Sequence, residues 1–164
     1  MRKLKETPSQ TAGPYLHIGM MPEASGTEPK NWASFCSETE AKEYQLNMRL
    51  FDGGEETVTD AIIEVYHASG MTRTTYEEAN GLFSFGFDDI NNAPFTLFVI
   101  ARGINLGLCT RVYLPGEAEN LSDNILLSVP QERRETLIAK KTDEKQFMFD
   151  IHLQGEHETV FLEF

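Results

Sequence analysis

Residues 44–50 alternate apolar and polar side chains: Tyr44, Leu46, Met48 and Leu50 stand against Gln45, Asn47 and Arg49. Only a strand sorts such a set onto two faces, because its successive side chains point to opposite sides. The same pattern recurs downstream. Asp52-Gly53-Gly54-Glu55 is expected to supply positive-φ residues for a turn, and Ala61–His67 to form the next strand. Thr72–Tyr76 and Leu82–Phe87 flank a segment ending in Asn80-Gly81, a turn signal. Phe95–Ala101 is almost wholly apolar and reads as a strand buried on both faces. Cys109–Leu114, Thr136–Lys140, Gln146–Leu153 and Thr159–Phe164 complete the series.

Many short strands with turns between them describe an all-β protein, an antiparallel β-sandwich. At most one or two short helices are expected. The plainest is near Ser122–Ser128, where Ser122 could cap and Asp123 would suit the N-terminal dipole. Residues 1–43 lack periodicity and are rich in Pro, Gly, Ser and Glu, so they read as an extended N-terminal arm and an irregular segment around Trp32. The sandwich then occupies residues 44–164, one domain in a chain of 164 residues.

The net charge of −12 makes nucleic acid and anionic membrane poor partners, since both would be repelled. No apolar run reaches bilayer-spanning length, and no apolar stretch follows the basic residues at the start, so a cytoplasmic protein is expected. Cys36 and Cys109 match no paired metal or redox pattern and read as free thiols. His17, His67, His152 and His157 form no pair with metal-ligand spacing. The Asp88-Asp89 pair reads as a solvated turn, and the scattered glycines make no phosphate loop. General chemistry alone leaves a β-sandwich with no visible catalytic centre.

Longer stretches say more. Glu6-Thr7-Pro8-Ser9-Gln10-Thr11-Ala12-Gly13-Pro14-Tyr15-Leu16-His17-Ile18-Gly19 resembles the N-terminal arm of α subunits in the protocatechuate 3,4-dioxygenase family of intradiol ring-cleaving enzymes. Ala101-Arg102-Gly103-Ile104-Asn105, then Thr110-Arg111-Val112-Tyr113, resembles the strand pair near that family's active site. Arg133–Lys140, Phe149-Asp150-Ile151, Gln154-Gly155-Glu156 and Glu158–Phe161 are similar to its C-terminal part. Residues 44–87 match more loosely and 20–43 hardly at all. The chain is also shorter than ordinary α subunits, around residues 20–43 and 66–93.

The resemblance implies a hetero-oligomer with a β-type subunit, which opens a small aromatic acid, protocatechuate, with O₂. It implies a non-haem Fe(III) held in the β-type partner by two tyrosinates and two histidines, hard ligands that suit ferric iron. None of the four ligands stands in its place here. Ala93-Pro94-Phe95-Thr96-Leu97 occupies the strand where a histidine pair is expected, and Tyr66-His67-Ala68 lacks the downstream tyrosine. The chain itself is therefore expected to hold no metal and no catalytic residue, and to be inactive alone. Thr11, Gly13, Pro14 and Tyr15 would line the substrate pocket, and Arg102 would face the substrate's carboxylate. By themselves these residues also read as a plain turn and a charge at a strand end. A rival reading is a degenerate structural or regulatory paralogue.

Overall fold

A computed structural model of the chain describes residues 10–22, 26, 42–68, 70–116 and 122–163. Among the described residues eight strands form one curled sheet: β1 (Tyr44–Phe51), β2 (Ala61–His67), β3 (Gly70–Glu77), β4 (Leu82–Phe87), β5 (Phe95–Ala101), β6 (Leu108–Val112), β7 (Lys140–Asp143) and β8 (Gln146–His152). Their order across the sheet is β6-β5-β2-β3-β4-β1-β8-β7. The β3–β4 junction is narrow, with Tyr76 opposite Phe83 and Glu77 opposite Leu82. There the sheet folds back, so that β2, β3, β5 and β6 face β1, β4, β7 and β8 as in a sandwich.

The period of two fills the space between the halves. Leu46, Met48 and Leu50 of β1 lie beside Phe147, Phe149 and Ile151 of β8 on one side and the phenylalanines of β4 on the other. Ala61, Ile63 and Val65 of β2 and Phe95, Leu97, Val99 and Ala101 of β5 supply the opposing layer. Aromatic rings join the two. Phe95 meets Phe85 and Phe87 edge-on at 5.3 and 5.0 Å between centroids.

Several expectations are corrected. The sandwich is not wholly antiparallel, because β1 and β8 run parallel. A strand's alternation carries no information about its direction, so the sequence pattern was blind to this. Arg49 and Asp150 clamp that pair with two hydrogen bonds, Nε to Oδ1 at 2.7 Å and Nη2 to Oδ2 at 2.8 Å. β5 is fully buried on one face only, since Thr96, Phe98 and Ile100 lie half-buried on the outer one. Gln131–Leu137 forms a 3-10 helix in place of the strand expected at Thr136–Lys140. Arg134 holds this turn, donating to the carbonyls of Val129 and Leu127. Residues 159–163 are no strand either. They run beside β6 through isolated bonds such as Leu162 N–H to the Cys109 carbonyl. The positive φ of the first turn falls on Glu55, not on Gly53 or Gly54. Gly53 instead lies against the exposed Gln154 side chain, which would have to move aside for a Cβ. Part of the arm is helical, at α1 (Leu16–Met20), and the segment around Trp32 lies outside the described residues, as does Cys36.

The helix α2 (Asn124–Ser128) forms where expected, but Asp123 caps it rather than Ser122. Asp123 Oδ1 accepts from the N–H groups of Ile125 and Leu126 and from the Tyr113 hydroxyl, while Oδ2 takes Arg111 at 2.9 Å. Burial is the largest single influence on this carboxyl and pushes its pKa up. The Leu126 N–H, the Tyr113 hydroxyl, the Arg111 charge and the Ile125 N–H together outweigh it and hold it below the ordinary 3.8. A depressed carboxyl adds stability that is complete above its unfolded-state pKa and is lost as pH falls through the folded one. Asp123→Asn is therefore expected to cost about 1 kcal/mol near pH 7 and progressively less at a pH below the ordinary 3.8. Urea denaturation in the two pH ranges checks this; an equal cost in both would show that the charge is not at work.

Candidate functional site

The C-terminal end of β5 is where the arm meets the sandwich. Past Ala101 the Arg102 N–H still pairs, donating to the Asp60 carbonyl at 3.0 Å, and Gly103 at φ +89° then turns the chain away. Glycine adopts that conformation without the clash a side chain would meet. The arm lies alongside: Ala12 forms a parallel bridge with Arg102, and Thr11 Oγ1 accepts from the Gly103 N–H at 2.8 Å. The same hydroxyl donates to the Ala12 carbonyl at 3.2 Å. Gly13 then opens a turn whose carbonyl accepts from the Leu16 N–H, leading into α1.

Arg102 is the exposed charge of this junction, with 63% of its side chain accessible. Its Nη1 lies 3.4 Å from Asp60 Oδ2. A guanidinium carries five N–H donors in a planar fork, so one long contact leaves an edge open to a carboxylate. Exposed apolar side chains flank the junction along the chain. Tyr15 on the arm is 75% accessible and Leu106, in the loop after Gly103, is 80% accessible.

Of the residues expected at a site, the structure brings Thr11 against the Arg102–Gly103 corner. Gly13, Pro14 and Tyr15 follow as an exposed turn. Thr11 ties down the backbone here, a role the sequence did not suggest. Gly13 borders open space within this chain. Asp60 was missed altogether. The signal for it was the β2–β5 pairing, which sets Ala61 opposite Ala101 and so brings the preceding residue to Arg102.

A second polar group sits on the outer face of the same half-sheet. Glu64 is buried and pairs with Arg73 Nε at 2.7 Å, and the Tyr66 hydroxyl donates to its other oxygen at 2.9 Å. That hydrogen bond pushes the Tyr66 phenol above its ordinary pKa. Arg73 also reaches the Met20 carbonyl at the end of α1. An open groove beyond it is lined by Tyr66, Thr96, Phe98, Gly107, Cys109 and Leu162. Cys109 is a free thiol there, its pKa raised by burial.

Among the described residues no three His, Cys, Asp or Glu side chains converge. On the strand where the resemblance sets a histidine pair, Phe95 and Leu97 are fully buried core residues.

No protein-family model matches the chain. The protocatechuate 3,4-dioxygenase alpha chain of Pseudomonas putida is 36% identical over 196 residues, covering 98% of each chain. The protein of that name from Burkholderia cepacia is 30% identical over 205 residues, covering 99% of this chain and 100% of that one. Both alignments run longer than this chain's 164 residues, so each relative carries segments it lacks. Among solved structures, the dioxygenase domain of a dioxygenase carbohydrate-binding protein fusion from Streptomyces sp. SirexAA-E superposes with a TM-score of 0.52. It is 16% identical and covers 77% of this chain and 86% of that one. Hydroxyquinol 1,2-dioxygenase from Pseudomonas putida DLL-E4 also gives 0.52, at 13% identity, covering 85% of this chain and 72% of that one. These two structures speak for the fold alone.

If the Thr11 hydroxyl fastens the arm, Thr11→Val should expose the Gly103 amide. Its hydrogen exchange is expected to quicken by about threefold to tenfold, the worth of one partly exposed hydrogen bond. An unchanged rate at Gly103 would mean that the arm is held elsewhere.

Proposed function

The chain belongs to the family of protocatechuate 3,4-dioxygenase alpha chains, subunits of intradiol dioxygenases, and from that premise we propose that it completes a substrate pocket whose iron is held by a β-type partner. The substrate is a catechol bearing a carboxylate, protocatechuate, cleaved with O₂ between its hydroxyls. The assembly is a hetero-oligomer working in the cytoplasm, and this chain alone is inactive.

The observation that carries the reading is the junction of arm and strand. Thr11 and Ala12 are fastened beside Arg102, whose guanidinium keeps an open edge. An arginine fork can take a planar carboxylate bidentately, more strongly than a neutral donor could. Thr11, Gly13, Pro14 and Tyr15 would then form the wall against the aromatic ring. The exposed Tyr15 and Leu106 suit a partner chain laid over this end of the sandwich, since interfaces favour such apolar and aromatic side chains. The iron is assigned to the partner because Phe95 and Leu97 are committed to this chain's core.

Two experiments test it. The chain purified alone is expected to bind no stoichiometric iron and to be colourless; a coloured protein with one iron per chain would overturn the assignment. Co-expressed with a β-type chain, it should co-purify and support O₂ uptake with protocatechuate. In that assembly Arg102→Ala should raise KM for protocatechuate by roughly one to two powers of ten, with iron content unchanged. An unaltered KM would make Arg102 structural and remove it from the pocket.

A further inference from the structure

We propose that Asp60 is the positioning residue for Arg102, holding one end of the guanidinium so that the open edge faces the substrate's carboxylate. This deepens the reading above and rests on Arg102 being the carboxylate contact.

One residue restrains Arg102 twice. The Asp60 carbonyl accepts the Arg102 N–H at 3.0 Å, and its Oδ2 lies 3.4 Å from Nη1 of the same arginine. A tight turn presents it, because the Ala61 N–H folds back onto the Thr59 carbonyl at 2.9 Å. β2 then starts at once, and its register opposite β5 fixes where the turn sits relative to Arg102. On the far side the arm fastens Ala12 and Thr11 to Arg102 and Gly103. The backbone of Arg102 and Gly103 is thus set by three partners, while the long side chain of Arg102 is set by one. An arginine otherwise free to rotate loses rotamer entropy when it grips a ligand, and a carboxylate that holds it beforehand removes part of that cost.

The arrangement places three charges in a row: the Asp60 carboxylate, the guanidinium and the incoming carboxylate. Asp60 repels the incoming carboxylate in either case, but with the guanidinium between them its hold on the cation outweighs that repulsion. Without the cation, Asp60 becomes an unpaired negative charge beside a negative substrate, and the sign of its effect reverses. A purely structural residue has no reason to show such a reversal.

The test is a double-mutant cycle on the enzyme assembled with its β-type partner, with protocatechuate as substrate. With Arg102 present, Asp60→Asn is expected to raise KM by about threefold to tenfold and to leave kcat nearly unchanged. In the Arg102→Ala background the same substitution is expected to lower KM by roughly twofold to fivefold, as the unpaired charge is removed. Asp60→Ser is carried alongside, so that the reversal stays readable if one variant fails to assemble. If Arg102→Ala raises KM but Asp60 substitutions do nothing in either background, or act in the same direction in both, the positioning role is wrong and the Arg102 assignment survives. If Arg102→Ala leaves KM unchanged, both fall together.

Discussion

Phe95 is the side chain on which the two halves of the sheet close. The sheet passes from one half to the other through the short β3–β4 ladder, and only isolated backbone bonds such as Tyr113 N–H to the Leu137 carbonyl join them elsewhere. What holds them is the apolar layer between, and Phe95 stands where that layer is most aromatic. It is fully buried, edge-on to both Phe85 and Phe87, and Phe87 passes the contact on to Phe147 of β8. Edge-to-face rings add about 0.5–1.5 kcal/mol per pair beyond the area they bury. The alternation seen in β1, β4 and β8 has meaning only because this opposing layer exists.

The same commitment bears on chemistry. A metal ligand must point a polar atom into a site, and a core residue must not. At positions 95 and 97 the chain carries Phe and Leu on the core side of β5, so that strand serves packing. The charged side chains of this half-sheet are displaced to its outer face and its end. Glu64, Arg73 and Tyr66 form a satisfied group outside, and Asp60 and Arg102 form one at the end. Of the two, only the second leaves donors open.

Period and turn chemistry carried most of the strands into view from sequence. β1, β2, β4, β5 and β8 fall within a residue of where alternation and the Asn80-Gly81 signal put them. What stayed invisible was relational. The parallel direction of β8 beside β1 depends on a partner about a hundred residues away, which a local pattern cannot encode. Thr136 and Leu137 suit the strand expected there, yet Pro130 and the Arg134 side chain, bonded to the Val129 and Leu127 carbonyls, hold residues 131–137 in a 3-10 turn. Resemblance singled out Arg102 and the arm, which the structure sets side by side; it did not single out Asp60, because an Asp before a strand looks like any turn residue until β2 is paired with β5.

Register also explains how a short, exposed arm keeps its place. Residues 10–13 bury little apolar surface, so burial cannot hold them at this corner. They are held by direction instead. Gly103 at positive φ turns its own N–H out of the β5 ladder, where Thr11 Oγ1 accepts it, and the Ala12–Arg102 bridge continues the pairing that β2 began. A side chain at position 103 would strain that turn, and losing the turn would free the arm and unseat Arg102 together. The arm and the Arg102 charge are therefore one mechanical unit, set by a glycine that acts through its backbone alone.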